Sequence, residues 1–166
     1  MSTYKYPQIT ASGELPDGVE VMDAVPSDID GIVSIENSSF DIEAFSRSQF
    51  RYLIAHANGK FLVVRHNGRI VAYISMLKRK RTRRLRIYSI AISPQMRAMG
   101  IGQLLIDKTI EYAVANNLNI ISLEVRTDNI PALALYEKNG FRKIKLLPQY
   151  FSNDIDAYYM QRDISE

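Results

Sequence analysis

Apolar residues change their spacing several times along this chain, and each change predicts an element. The runs FLVVRH and RIVAYISML flank Asn67-Gly68, and Asn-Gly between two β-branched runs predicts a hairpin on a type I′ turn, which needs positive φ at both central residues. A basic stretch, KRKRTRR, then separates that hairpin from a predicted strand over Leu85 to Ile92, so it reads as a second hairpin tip in an antiparallel meander. From Gly100 the period becomes helical: Leu104, Leu105, Ile106, Ile110, Ala113 and Val114 cover one wide face, ending near Asn116 and Asn117. NIISLEV has the composition of a strand, so strand, helix and strand form a βαβ unit with parallel strands.

The flanks follow the same logic. Residues 1–18 show no period and carry Pro7, Gly13, Pro16 and Gly18, which predicts a tail or loosely docked arm ahead of a domain over 19–166. Val19 to Val25 reads as a first strand. Ser27 is the expected N-cap of a helix to about Ser38, and Ser46 with Gln49 forms a capping-box pattern ahead of Phe50, Leu53 and Ile54. Asp128 or Asn129 caps a later helix, with Pro131 in its first turn and Gly140 past its end. FRKIKLL and IDAYYMQRDI close the chain as strands. The sum is a mixed α+β domain centred on one βαβ unit.

Composition narrows the class. The 166 residues suit one domain, and 46% hydrophobic with 23% charged residues exclude disordered and fibrous types. The absence of Cys excludes disulfides, thiolate metal sites and a Cys nucleophile. MSTYKYPQIT lacks the pattern of a signal peptide and no run reaches 18 apolar residues, so a cytoplasmic protein without a membrane partner is expected. His56 and His66 stand apart on a helix end and at a hairpin turn, and no cluster has metal-ligand spacing; no metal is predicted. The net charge of +3 is uneven: the stretch Lys78 to Arg86 holds 7 of the 21 basic residues, leaving 14 against 18 acidic residues elsewhere.

The chemistry centres on the loop between Ile92 and the helix at Gly100. Glycines at a strand-to-helix turn let a ligand approach the backbone, and the free N–H groups at a helix start favour phosphate. A P-loop would require Gly-Lys-Ser/Thr where Gly102-Gln103-Leu104 stands. A dinucleotide fingerprint would require a third glycine where Leu105 stands, although Glu124 lies at about the acidic-residue distance of 20. A tight turn with no ligand is the bland alternative.

R-x-x-G-x-G after a strand ending IAIS, followed by LEVRTDNIPALALYEKNGF, resembles the GNAT superfamily of acyl-CoA N-acyltransferases, and more closely the ribosomal-protein-alanine, RimI-type, N-acetyltransferases. The resemblance implies a GNAT fold with helices on both faces of a mixed sheet, acetyl-CoA as acyl donor, and an acceptor amine. It implies that the backbone of Ile90, Ala91 and Ile92 pairs with the pantetheine arm. Arg97, Ala98, Met99, Gly100, Ile101, Gly102 and Gln103 would then wrap the pyrophosphate, and Asn129 and Tyr136 would complete the cofactor site. Glu124 would be the base and Tyr136 the acid, and the helices over Ile29 to Ala57 would wall the acceptor groove.

Each role has a physical sense and an ordinary alternative. Glu124 lies in the strand after the crossover helix, where a right-handed βαβ unit would bring it beside Ile90 to Ile92. Its alternative is a solvent-facing carboxylate or a partner of Arg126. Tyr136 would protonate a leaving thiolate, since a phenol near pKa 10 stays protonated at neutral pH; its alternative is a buried aromatic with one hydrogen bond. An α-amine near pKa 7.7–8.0 is easier to deprotonate than Lys near 10.4 by about 3–4 kcal/mol, which favours a protein or peptide N-terminus as acceptor. Acetylation of a lysine or a small-molecule amine, or a non-catalytic acetyl-CoA-binding or RNA-associated module, are the alternatives. The Lys78 to Arg86 run is either an anion-steering patch, for an acidic peptide, RNA or the cofactor phosphates, or a solvated tip that discourages edge pairing. The loops Asp41 to Arg47 and Pro148 to Asp156 carry no readable motif, and the oligomeric state stays open between monomer and homodimer.

Overall fold

A computed structural model of the chain describes residues 3–4, 15–39, 44–151 and 154–165. The strands are β1 (Thr3–Tyr4), β2 (Val19–Asp23), β3 (Gly59–His66), β4 (Arg69–Lys78), β5 (Arg84–Ile92), β6 (Ile120–Arg126), β7 (Arg142–Phe151) and β8 (Ile155–Asp163). The helices are α1 (Ile29–Ser39), α2 (Arg47–Ala55), α3 (Ile101–Ala115) and α4 (Ile130–Lys138). The sheet runs β2-β3-β4-β5-β6-β8-β7, with β1 added to β5. β5 pairs with β6 and β1 in parallel, and the other pairings are antiparallel.

Each face of the sheet buries its own core. Leu62, Val64, Ile74, Leu85, Ile87, Ile90 and Ile92 pack with Ile101, Leu105 and Ile106 of α3 and Leu133 and Tyr136 of α4. On the other face Ile32, Ile35, Phe45 and Phe50 pack with Phe61, Val63, Tyr73 and Ala91. Strand alternation explains the division, since residues two apart share a face. The second core includes a polar network. The Tyr73 hydroxyl lies 2.6 Å from both Glu36 Oε1, to which it donates, and Ser89 Oγ, and the Phe45 N–H donates to Glu36 Oε2 at 2.9 Å. Glu36, Tyr73 and Ser89 are all fully buried, so these bonds offset a large desolvation cost.

The Asn67-Gly68 turn has φ of 52° and 84°, as a type I′ hairpin requires. At α2, Ser46 Oγ accepts from the Gln49 N–H at 3.3 Å and Gln49 Oε1 accepts from the Ser46 N–H at 2.7 Å. The start of α1 differs from expectation. A 3₁₀ turn over Pro26–Asp28 precedes it, and the Asp28 carboxylate accepts from the Val25 N–H at 2.9 Å while pairing with Arg65. Pro26 favours this tight turn, and Asp28, not Ser27, supplies the capping oxygen. The first strand likewise stops at Asp23 rather than Val25.

The feature that positions the site is a break in the sheet. β5 and β6 pair only at Arg84↔Ile120, Leu85↔Ile121 and Arg86↔Ser122. Opposite β4, the register passes from Ile87↔Met76 to Ser89↔Ser75, which leaves Tyr88 as an extra residue. Such a bulge bends its strand and raises the local twist. Beyond it β5 leaves β6, and β1 pairs with the vacated edge at Ser89 and Ile90.

Candidate active site

One flank of this break is the turn from β5 into α3. Pro94–Met96 forms a 3₁₀ turn, Ala98 has φ of 63° and Gly100 has φ of 81°. Gly100 is the N-cap of α3 and offers no side chain to its first turn. The leading N–H groups of a helix have no intrahelical acceptor, so this end presents donors and the positive end of the helix dipole. Ile101 is buried in the core, Met99 is exposed, and Gln103 exchanges hydrogen bonds of 2.8 and 3.0 Å with Asn139. None of these side chains carries a charge, so the backbone is what this part of the loop offers an anion. The Arg97 guanidinium turns back, donating to the Ile92 carbonyl at 3.2 Å and to Ser39 Oγ at 3.3 Å.

The opposite flank is the start of α4. Asn129 caps it, its Oδ1 accepting from the Ala132 N–H at 3.3 Å, while its buried Nδ2 has no hydrogen-bond partner among the described residues. A buried amide donor without a partner costs roughly 1–3 kcal/mol. A carbonyl acceptor would satisfy it. Tyr136 lies seven residues on, two helical turns along the same face. It is fully buried beside Phe141, with ring centroids 5.6 Å apart, and burial pushes its phenol above the ordinary tyrosine value. These donors flank the β5 edge that β1 covers at Ser89 and Ile90.

Glu124 sits on the other face of the sheet from α3. The ladder ends before it, and its register level is that of Tyr88, short of the Ile90 to Ile92 position that the βαβ geometry suggests. The reason is the register itself, since Arg86 stands opposite Ser122 and the two residues that follow bring Tyr88 level with Glu124. Its partner is Arg86: Nη2 donates to Oε1 at 2.5 Å and Nε donates to Oε2 at 3.3 Å. The Tyr150 hydroxyl donates to the same Oε1 at 3.1 Å, and the Arg86 guanidinium lies 5.2 Å from the Tyr88 ring centre. Arg126 instead binds Asp128 through two hydrogen bonds of 2.9 and 2.8 Å, which hold the Asp128 carboxyl below its usual value.

Two adjoining cavities open on this face and share Leu77 and Lys78. One, of about 480 Å³, lies between α2 and β5, with Phe45, Tyr52, Leu53 and Tyr88 in its lining. Phe45 stacks on Tyr88 at 5.5 Å. The other, of about 440 Å³, contains Glu124 with Arg79, Arg84, Arg86, Ser122 and Tyr159. Sequence reasoning missed Arg86, Tyr88 and Tyr150 as neighbours of Glu124. The alternation Arg84, Arg86, Tyr88 in RLRIY marks one strand face, but the sequence gives no sign of which carboxylate meets it. His56 ends α2 as an exposed residue and His66 ends β3 half-buried. Residues 41–43 of the Asp41 to Arg47 loop and 152–153 of the Pro148 to Asp156 loop lie outside the described residues.

Comparison with known proteins agrees with this architecture. The sequence pattern of the Acetyltransferase (GNAT) family matches residues 29–141. The N-alpha-acetyltransferase RimI of Mycobacterium tuberculosis is 33% identical over 117 residues, covering 69% of this chain and 72% of that protein. The N-alpha-acetyltransferase of Sulfolobus acidocaldarius is 31% identical over 165 residues, covering 92% and 97%. Against a longer relative, an uncharacterized protein of Mycobacterium leprae, the chain spans 39% of the length. The crystal structure of the Escherichia coli ribosomal-protein-S18-alanine N-acetyltransferase superposes with a TM-score of 0.81 at 22% identity, over 89% of this chain and 95% of that one, which establishes a common fold.

Proposed function

Because this chain belongs to the acetyltransferase (GNAT) family and is a RimI-like N-acetyltransferase, we propose that its acceptor is the N-terminal α-amine of a protein or peptide. Enzymes of this family use acetyl-CoA as acyl donor, which supplies an activated thioester. The observation that carries the reading is the early end of the β5–β6 ladder at Arg86↔Ser122. It leaves a β5 edge able to receive an extended chain, with the uncapped start of α3 at one end and Glu124 on the acceptor face.

In this reading the backbone of Ile90, Ala91 and Ile92 orients the pantetheine arm. That arm takes the place of Thr3–Tyr4 along Ile90, an edge whose pairing with β1 illustrates its fit to extended backbone. The N–H groups of residues 97 to 103 receive the pyrophosphate, and Asn129 Nδ2 satisfies itself on a carbonyl of the arm. Glu124 takes a proton from the acceptor amine, directly or through one water, as the new C–N bond forms and the C–S bond breaks. Tyr136 gives its proton to the departing thiolate. A phenol is protonated through the neutral range and so holds a proton to give. The chain has no Cys to form a thioester, and direct transfer needs none. The aromatic cavity against α2 is the proposed seat for the acceptor's first side chain.

The test is a pair of conservative variants assayed on an N-terminal peptide library with acetyl-CoA. Glu124→Gln and Tyr136→Phe are each expected to lower kcat by about 10²–10⁴-fold while acetyl-CoA still binds. Unchanged turnover in either variant removes that residue from the mechanism. Mass gain confined to lysine side chains or small amines overturns the α-amine assignment.

A further inference from the structure

The cavity beside Glu124 holds more positive charge than the acetyl transfer uses. Arg79 and Arg84 face each other across the β4–β5 turn, the Arg79 N–H donating to the Arg84 carbonyl at 3.2 Å, immediately beyond the Lys78↔Leu85 pair. Cross-strand partners project on one face, so both guanidinium groups share the side of the sheet that carries Arg86 and Glu124. Like charges directly opposite destabilise a hairpin. Among the described residues neither side chain has an ion-pair partner, whereas Arg86 is held by Glu124 and Arg83 bonds to Asn117. The basic run is therefore not one patch: part of it serves the fold, and part converges unneutralised on a cavity of about 440 Å³ that also contains Glu124.

From this juxtaposition we infer that the acceptor peptide carries an acidic side chain within its first four residues, read by Arg79 and Arg84. The inference rests on the α-amine reading above, which fixes the amine at Glu124. Arg84 lies one pleat from Arg86, which is level with Ser122, and Glu124 lies one pleat further the other way. At about 3.3 Å per residue that separation is about 13 Å, within the span of a short extended peptide and a long guanidinium side chain. A carboxylate there relieves the Arg79–Arg84 repulsion and gains charge-assisted hydrogen bonds. It also offers Arg86 a second anion beside Glu124. A cavity of this size, bounded by residues of β4, β5, β6 and β8, suits a peptide side chain better than a nucleic-acid backbone, which needs a long basic track with stacking platforms.

The experiment compares matched peptides that differ only by Glu, Gln or Lys at positions two to four, with N-terminal acetylation followed by mass spectrometry. The Glu peptide is expected to exceed its Gln counterpart by about tenfold or more in kcat/KM, and the Lys peptide to fall lowest. The double variant Arg79→Gln with Arg84→Gln should abolish the preference while leaving the Gln peptide within about twofold. Added salt should shrink the preference of the unaltered chain. Equal rates on all three peptides, or a preference that survives in the double variant, overturn the inference and leave the α-amine reading standing. Acetylation of no N-terminus at all overturns both. Salt-sensitive binding of polyuridylate RNA that the double variant loses, with no preference for acidic peptides, assigns the two arginines to RNA instead.

Discussion

Helices α2 and α3 begin in opposite ways. At α2 the Ser46 and Gln49 side chains exchange both bonds of a capping box, so the chain satisfies that end by itself. At α3 the N-cap is Gly100, in the left-handed region with no side chain to turn inward. The first arrangement completes a scaffold. The second presents donors that only a partner from outside the helix can satisfy, at the mouth of a break in the sheet. The same contrast extends across the molecule: the α3 side offers backbone groups, whereas the α2 side offers side chains brought in from distant segments, Phe45, Tyr88, Arg86 and Glu124 among them.

The sharpest way to break this comparison is to give α3 a side chain where it has none. Gly100→Glu places a carboxylate against the proposed phosphate position and forces a non-glycine residue into φ of 81°. The strain costs roughly 1 kcal/mol of stability. Acetyl-CoA affinity is expected to fall by about 100-fold or more, near 3 kcal/mol, measured by isothermal titration. Unaltered affinity in a folded variant would show that the start of α3 is not the phosphate site.

A second comparison sets one buried tyrosine on each face against the other. Burial raises the Tyr73 phenol well above its ordinary value, reinforced by the Glu36 carboxylate, and burial alone raises Tyr136. Both folded-state values lie above the unfolded value, so the stability they represent is fully present below about pH 10. As pH climbs beyond that, the unfolded chain loses these protons first, and stability falls by up to about 1.4 kcal/mol per unit for each tyrosine. Urea midpoints between pH 8 and 11 should show this loss. Tyr73→Phe and Tyr136→Phe should each flatten it by one tyrosine's share. At pH 7 the two variants should part, because Tyr73→Phe also deprives the buried Glu36 carboxylate of a hydrogen bond, worth about 1–3 kcal/mol.

What was legible in the sequence follows the same division. Asn67-Gly68, Ser46 with Gln49, Gly100, and Asn129 with Pro131 are local signals, because turn and cap chemistry acts within a few residues, and each sits where its spacing predicts. The α3 side was therefore readable almost whole. The α2 side was not, since its meaning lies in pairings between remote residues: Arg86 with Glu124 is 38 positions apart, and Tyr150 reaches Glu124 from 26 away. No periodicity announces that β8 inserts between β6 and β7, that the parallel ladder stops at Arg86, or that Tyr88 is an extra residue opposite β4. The expectation of Glu124 beside Ile90 missed by two positions because the β5–β6 register cannot be read from composition: Arg86↔Ser122 puts Glu124 level with Tyr88. The basic run shows the limit most plainly, since sequence reading treats its charges alike and the fold gives Arg83, Arg86 and the Arg79–Arg84 pair three different surroundings.

The smallest effect sharpens the comparison from the capped side. Ser46→Ala removes the oxygen that accepts from the Gln49 N–H and leaves Gln49 without its reciprocal partner, an expected loss of about 1 kcal/mol. The variant should melt a few degrees lower, and its acetyl-CoA affinity should match that of the unaltered chain, because α2 packs on the opposite face from α3 and α4. KM for the acceptor peptide is expected to rise modestly, by about two- to threefold, since fraying the first turn of α2 loosens Phe45 against Tyr88 at the wall of the aromatic cavity. Steady-state kinetics with both substrates varied will separate the two effects. A fall in acetyl-CoA affinity equal to the rise in peptide KM would mean that the two helix starts act on one site, and the division between a self-satisfied scaffold and an open donor end would not hold.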